Sequence, residues 1–230
     1  MSTAIVTGGS RGLGLALARA LLAEEWNVII DGRDRSSLRE AAAGLGSRVT
    51  VVAGDVADAR HRDDLVTEAR QLGELNLLVN NASALGPSPL PNLRDLAVED
   101  LMELQRINVA APLAMVQLAL PLLESSRGAV VNITSDAAVE AYEGWGGYGA
   151  SKAALEQLSN VLAVEEPGVR IWWIDPGDMR TAMHQAAYPG EDISDRPSPE
   201  TVVPAILRLL ASWPPSGRCR AVDLSMVGAP

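Results

Sequence analysis

A tyrosine and a lysine four residues apart are the side chains in this sequence best suited to moving a proton. Tyr148 and Lys152 lie on a predicted helix, so both project from one face. Lys152 is the only lysine among the 19 basic residues, and the chain has three tyrosines. A nearby ammonium lowers the pKa of a phenol, which is otherwise a weak base at neutral pH. The pair predicts general acid–base chemistry, although an exposed polar pair would have the same spacing.

A glycine-rich turn near the start of the chain could hold phosphates. Thr7-Gly8-Gly9-Ser10-Arg11-Gly12-Leu13-Gly14 follows an apolar strand and opens a helix, with the spacing G-x-x-x-G-x-G. Glycines let a diphosphate approach the backbone N–H groups at a positive helix N-terminus. A tight strand-to-helix turn without a ligand is the alternative, but the strand–turn–helix context favours a dinucleotide.

The elements that must position these residues alternate along the chain. The strands are continuously apolar, which is typical of a sheet covered on both faces. This order predicts an α/β fold, a doubly wound parallel sheet of about seven strands, in a single domain over residues 1–230. The predicted strands are Thr3–Thr7, Asn27–Ile30, Val49–Ala53, Leu75–Asn80, Ala129–Thr134, Val169–Ile174 and Cys219–Asp223; the predicted helices are Gly12–Glu25, Arg35–Gly44, Arg60–Gln71, Glu99–Glu124, Tyr148–Glu165 and Glu200–Ser212.

Further polar residues follow the strand ends, where ligands of such sheets bind. In order they are Asp55-Val56, Asn80-Asn81-Ala82, Ser135, and Pro176-Gly177 with Thr181, while Asn108 lies within the long helix. Together with the glycine turn and Tyr148-x-x-x-Lys152, this series resembles the short-chain dehydrogenase/reductase (SDR) family of single-domain Rossmann-fold oxidoreductases. The resemblance covers residues 7–181.

The resemblance implies hydride transfer between a nicotinamide cofactor and a carbonyl or alcohol, with Tyr148 as the general acid/base. It gives Ser135 a hydrogen bond to the reacting oxygen and makes Asn108 the anchor of a water relay towards Lys152. The catalytic residues would be Asn108, Ser135, Tyr148 and Lys152. The cofactor-binding residues would be Gly8, Ser10, Arg11, Gly12, Leu13, Gly14, Arg33, Asp55, Val56, Asn81, Ala82, Tyr148, Lys152, Pro176, Gly177 and Thr181.

The end of the second strand bears on the choice between the two nicotinamide cofactors. A carboxylate there favours NAD, because it bonds the ribose hydroxyls and repels the extra phosphate of NADP. Aligned on the family, the discriminating position is Gly32, and Arg33 with Arg11 could clamp a 2′-phosphate. NADP(H) is therefore favoured over NAD(H), but a slip of one residue would bring Asp31 into the site and reverse the choice.

The chain departs from the family pattern at three places. Ser83 stands where the family usually has glycine, and Ser216-Gly217-Arg218-Cys219-Arg220 replaces a glycine-rich approach to the last strand. The polar segment 178–199 is predicted to be a mobile lid over the substrate.

Composition and the two histidines exclude several other functions. The net charge of −10 and the pI of about 4.7 disfavour nucleic acid and anionic lipid. The apolar stretch Val109–Leu123 is too short for a membrane span and predicts a buried helix. His61 is expected to be solvated in an Arg/Asp-rich helix, and no G-x-S-x-G elbow surrounds Ser135. No acidic residue has metal-ligand spacing with a histidine, so no metal is expected.

The lone Cys219 and the lack of a targeting segment favour the cytoplasm. In the family, the two long helices pack across a two-fold axis, so the resemblance implies a homodimer or homotetramer. A catalytically silent cofactor-binding regulator is the alternative function, but such a chain would be expected to lose Tyr148 or Lys152. A sugar-nucleotide epimerase of the extended family would need more than 230 residues.

Overall fold

A seven-stranded parallel sheet in the order β3-β2-β1-β4-β5-β6-β7 forms the centre of the computed structural model, which describes residues 1–226. The doubly wound fold is therefore confirmed. The last four residues of the predicted domain lie outside the described part of the chain. The strands are β1 (Thr3–Val6), β2 (Asn27–Gly32), β3 (Val49–Ala53), β4 (Leu77–Asn80), β5 (Ala129–Ile133), β6 (Arg170–Asp175) and β7 (Gly217–Arg220).

Helices cover both faces of the sheet, which explains the continuously apolar strands. Along β1, Ala4 and Val6 pack into one buried cluster with α1 and α8, while Ile5 packs into a second with α3 and α5. The helices are α1 (Gly12–Ala23), α2 (Arg35–Ala42), α3 (Ala59–Gln71), α4 (Val98–Gln105), α5 (Ala111–Ser126), α6 (Gly146–Glu165), α7 (Ala182–Ala187), α8 (Val203–Ser212) and α9 (Ala221–Met226).

The long helix predicted over Glu99–Glu124 is present, but an α-to-π transition interrupts it near its middle. A π-helical turn, Arg106–Ala110, joins α4 to α5 and contains Asn108. Pro112 has no N–H to donate to the Asn108 carbonyl four residues earlier, so the α-helical pattern is interrupted there.

Among residues 1–226, Val98–Ser126 is the one helical run long and apolar enough to cross a membrane. It contains the apolar stretch Val109–Leu123 and extends the predicted helix Glu99–Glu124 by one residue at its start and two at its end. Its most apolar window is 44% buried within the protein. Core helices of soluble proteins pass the same test.

The C-terminal part differs from the sequence prediction. The last strand ends at Arg220 rather than Asp223, because Arg220 pairs with Asp175, the final residue of β6. Ala221 then begins α9. The segment 178–199 is not entirely loop, since Thr181 caps the short helix α7 with a hydrogen bond from His184 N at 3.2 Å.

Candidate active site

A cleft of about 1150 Å³ lies along the carboxyl ends of the strands. It brings together most residues that the sequence predicts for both cofactor and substrate. Those lining it are Gly8, Ser10, Arg11, Gly12, Leu13, Arg33, Asp55, Val56, Asn81, Ala82, Ser135, Tyr148, Lys152, Pro176, Gly177 and Thr181.

Two predicted site residues, Gly14 and Asn108, do not line the cleft. A Cβ built on Gly14 would lie 2.5 Å from both the Gly8 carbonyl oxygen and Asn81 Nδ2. Gly14 therefore permits close packing of α1 against the turn rather than forming the ligand surface.

The glycine turn has the shape of a phosphate cradle. Gly8 and Gly12 have φ angles of 67° and 57°, which favour glycine, and a Cβ on Gly12 would meet only Thr181 Cγ2, at 3.6 Å. Asn81 holds the turn from β4 by donating Nδ2 to the Thr7 carbonyl at 2.8 Å. This open, N–H-rich start of α1 fits a dinucleotide diphosphate.

Tyr148 and Lys152 are both buried at the centre of the cleft. Lys152 Nζ lies 5.4 Å from the centroid of the Tyr148 ring and donates to the Ile133 carbonyl at 2.8 Å. Burial lowers the pKa of Lys152 from 10.5 to about 8.

The pKa of Tyr148 lies above its ordinary value in the nucleotide-free chain. Burial is the main cause, with smaller contributions from the charges of Asp136 and Asp175, while hydrogen bonding to Ser83 acts in the opposite direction. The net pKa is therefore raised rather than lowered in this state, because desolvation of the phenolate outweighs any stabilisation by neighbouring groups. Tyr148 therefore keeps its proton at neutral pH.

Asn108 fixes the loop that follows β4. Its Nδ2 donates to the Ala84 carbonyl and its Oδ1 accepts from Ala84 N, both at 2.8 Å, so the orientation of the amide is determined. Nδ2 also donates to Ser151 Oγ at 2.9 Å, in the turn of α6 that contains Lys152. Ser83 donates to Asn108 Oδ1 at 3.1 Å. The side chain of Asn108 thereby connects the Ser83 loop to α6.

The hydroxyl group of Ser135 is hydrogen-bonded to the carboxylate of the next residue, Asp136. Ser135 Oγ donates to Asp136 Oδ1 at 2.9 Å, and Tyr142 donates to Asp136 Oδ2 at 3.0 Å. In this arrangement, the Ser135 proton points to Asp136 rather than into the cleft.

Residues 133–135, at and just after the end of β5, are hydrogen-bonded to side chains of α6 and β7. Besides the bond from Lys152 to the Ile133 carbonyl, Thr134 Oγ1 donates to Glu156 Oε1 at 2.8 Å. Arg218 donates to the same Glu156 oxygen at 2.9 Å and to the Ser135 carbonyl at 3.4 Å. Lys152 and Glu156 are one helical turn apart, so α6 and β7 together fix the segment 133–135.

The end of β2 holds a buried contact between a histidine and a carboxylate. His61 Nε2 lies 3.0 Å from Asp31 Oδ2, and the two side chains are 6% and 3% exposed. The prediction that His61 is solvated is therefore wrong. The side chain is buried, because α3 turns it inward against β2. The exposed Arg33 lines the cleft, and a Cβ on Gly32 would lie 3.2 Å from Ser10 Oγ, so a side chain at position 32 would face the glycine turn.

Comparison with known proteins decides the family. The model of the short chain dehydrogenase family matches residues 2–192 of this chain. The chain belongs to the short-chain dehydrogenases. Members of this family interconvert CH–OH and C=O groups with a nicotinamide cofactor, so the protein is an oxidoreductase.

Two curated relatives of this short-chain dehydrogenase have known names. It is 34% identical to a benzil reductase ((S)-benzoin forming) of Saccharomyces cerevisiae, over 88% of this chain and 79% of the relative. It is also 34% identical to the sepiapterin reductase of Mus musculus, over 80% and 76% of the two chains. Among solved structures, a Shigella flexneri protein assigned to the short-chain dehydrogenases, in complex with NADP, has a TM-score of 0.89 and 28% identity, covering 96% of this chain and 97% of that one.

Sequence analysis of this short-chain dehydrogenase missed several residues of the site. Asp136 directly follows Ser135 at a strand end, and that position was a usable signal. Ser83 and Arg218 were noted as departures from the family, but their partners Asn108 and Glu156 are 25 and 62 residues away. No local pattern identifies contacts of that range.

Proposed function

We propose that this short-chain dehydrogenase reduces a ketone or an aldehyde to an alcohol with NADPH, with Tyr148 as the general acid. The observation that carries the proposal is a buried Tyr148 beside Lys152, in the same cleft as the glycine turn. The names of the yeast and mouse relatives, both reductases, support the direction of the reaction.

Tyr148 supplies the proton. Its raised pKa keeps the hydroxyl neutral, so it can donate to the substrate oxygen as negative charge develops there. The nicotinamide, when bound, supplies the hydride. The reverse reaction would require the phenolate, which burial and the nearby carboxylates disfavour in the nucleotide-free chain.

Lys152 supplies a positive charge close to the phenol. With a pKa of about 8 its ammonium is largely protonated at neutral pH, and one N–H is already committed to the Ile133 carbonyl. The two remaining donors can hold a ribose hydroxyl, and the charge opposes the negative charge left on Tyr148 after proton donation.

Ser135 and Asn108 prepare the site on either side of Tyr148. Ser135 would bond the substrate oxygen after turning its hydroxyl away from Asp136. Asn108 acts through its contacts with the Ser83 loop and with Ser151, and a water relay from this helix towards Lys152 is part of the proposal.

The cofactor would lie along the cleft from β2 to β6. Backbone N–H groups of the turn, with Gly8, Ser10, Gly12 and Leu13, would hold the diphosphate. Asp55, Val56, Asn81 and Ala82 would contact the adenosine end and the centre, and Pro176, Gly177 and Thr181 the nicotinamide amide. Arg11 and Arg33, both exposed at the cleft, favour NADP(H) by offering cations to a 2′-phosphate. The NADP complex of the Shigella flexneri structure supports this preference.

Aromatic rings form the substrate wall. Trp145 meets Tyr148 edge-on at 5.6 Å between centroids and lies 6.2 Å from Tyr188. Such a wall suits a carbonyl that carries a flat or aryl group, in line with the benzil named for the yeast relative. Residues 178–199, which contribute Tyr188 and His184 to this wall, would act as its lid.

The protein would act as a homodimer or homotetramer in the cytoplasm. The exposed Val161 and Val164 on α6 and Met102 on α4 support an interface on these helices.

Nucleotide binding and turnover test the proposal separately. The purified protein is titrated with NADPH and NADH by fluorescence, and a panel of aryl and alkyl carbonyls, benzil included, is then assayed by loss of the reduced-nicotinamide absorbance. NADPH is expected to bind more tightly, and Tyr148→Phe to lower turnover by about 10³-fold with nucleotide affinity unchanged. Tyr142→Phe, which removes another phenolic hydroxyl that lines the cleft, is the matched control and keeps most of the activity. Undiminished turnover in Tyr148→Phe would remove the acid–base assignment.

A further inference from the structure

The His61–Asp31 pair at the end of β2 is joined directly to the glycine turn. One carboxylate oxygen of Asp31 accepts from His61, and the other accepts from Gly8 N at 2.5 Å. The backbone carbonyl of Asp31 accepts from Gly9 N at 2.9 Å. Asp31 therefore bonds both of the first two glycines of the turn, and His61 holds the remaining oxygen of its carboxylate.

The surrounding chain is shaped to admit the histidine. A Cβ built on Gly54, directly after β3, would clash with the His61 ring, so the glycine leaves the space that the ring fills. Burying a carboxylate is costly unless it is paired and hydrogen-bonded, and His61 is the paired side chain that meets this need. Neither residue takes part in the proton or hydride transfer described above.

The position of this carboxylate matters for the cofactor. Asp31 precedes Gly32 and Arg33, and all three line the cleft with Ser10 and Arg11. A carboxylate that entered this region would accept from ribose hydroxyls, as in NAD-binding chains, and would repel a 2′-phosphate. In the structure both of its oxygens are already bound, one by Gly8 N and one by His61, so neither is free to accept from a ribose hydroxyl.

We propose that His61 is a positioning residue for cofactor choice: by holding the Asp31 carboxylate against the glycine turn, it keeps a negative charge away from Arg33 and leaves room for a 2′-phosphate. The inference rests on the NADP(H) preference in the proposed function. It attributes part of that preference to His61, which does not itself line the cleft. Loss of the His61 bond leaves the carboxylate held only through Gly8 N, so its other oxygen can turn towards the ribose.

Equilibrium binding to the nucleotide-free protein tests the role of His61. Kd values for NADPH and NADH are measured by fluorescence for the wild type, His61→Leu and His61→Gln. His61→Leu is expected to raise the Kd for NADPH about tenfold and to leave or lower that for NADH, because the released charge acts on the 2′-phosphate. His61→Gln keeps a side-chain donor and is expected to retain most of the wild-type ratio.

The double variant Asp31→Asn/His61→Leu is the matched control. It has the same altered packing at position 61 but no carboxylate to release, so its NADPH-to-NADH ratio is expected to stay near that of the wild type. If circular dichroism shows that His61→Leu is unfolded, His61→Asn replaces it, because its amide is too short to reach Asp31 and the same change is expected.

An unchanged ratio in the single variant, or an equal change in the single and the double variant, would overturn the proposal. The wild-type Kd values test the cofactor in the proposed function, whereas the change of their ratio tests His61, so the two can fail separately.

Discussion

Replacing Lys152 by methionine should make the nucleotide-free protein more stable at pH 7 while abolishing its activity. Methionine has a similar length and no charge. Burial lowers the pKa of Lys152 from 10.5 to about 8, which means that the folded protein holds the ammonium at a cost of about 3 kcal/mol, at about 1.36 kcal/mol per pH unit. The variant also loses the bond to the Ile133 carbonyl, which costs about 1–2 kcal/mol.

The balance is a gain of about 1–2 kcal/mol in the free energy of unfolding, or about 5 °C in Tm for a chain of this length. The advantage depends on pH. Between about pH 8 and 10.5 the unfolded wild type binds more protons than the folded protein, so the stability of the wild type rises with pH over this range. At pH 9.5 only about 1 kcal/mol of the cost remains, so the two proteins should then be about equally stable.

Urea and thermal unfolding of both proteins at pH 7 and pH 9.5 measure this difference. Tyr148→Phe serves as a control, because it removes a hydroxyl from the same helix face and leaves the ammonium. A Lys152→Met variant that is less stable than the wild type at pH 7, or a difference that stays constant between the two pH values, would refute the reasoning.

Three further substitutions test other contacts of the site. Arg33→Ala should raise the Kd for NADPH about tenfold and change that for NADH little, as measured by fluorescence titration; equal effects would mean that Arg33 does not meet the 2′-phosphate. Ser83→Gly removes hydrogen bonding that lowers the pKa of Tyr148. Alcohol oxidation should therefore slow about fivefold, and the ascending limb of its pH–rate profile should move to higher pH. Carbonyl reduction at pH 7 should be nearly unchanged. Arg218→Met leaves Glu156 and Asp175 without their cation and should lower the urea-derived free energy of unfolding by about 2 kcal/mol, whereas Glu156→Gln/Arg218→Met should recover part of this loss.

Much of the fold follows from local features of the sequence. Continuous apolar strands and the turns after them are sufficient for the sheet, and six of the seven strands lie close to their predicted bounds. The seventh was extended too far because Val222 continues an apolar pattern, whereas the strand ends where its partner β6 ends. The π-helical turn at Asn108 was likewise not predicted, although Pro112 supplies a physical reason for it.

The sequence predicts those parts of the site whose residues are close together in the chain or belong to a family motif. Tyr148 and Lys152 share a helix face and meet in the cleft, as their spacing predicts. His61 was misjudged because its neighbours in sequence are charged, while its actual partner lies 30 residues away on another element. The pKa of Tyr148 was misjudged for a related reason: the burial that raises it is a property of the assembled cleft and not of the helix.

The two walls of the cleft differ in how much sequence change they should tolerate. Residues 133–135 are held in place by Lys152, Glu156 and Arg218. The wall built on β5 and α6 has little tolerance, since Ile133, Thr134 and Ser135 are each bound by a side chain from another element. The opposite wall, built from the region around α7, carries no residue of the proton-transfer group. Libraries aimed at new ketone substrates should therefore randomise Met183, Tyr188 and their neighbours, and leave the β5 side as it is.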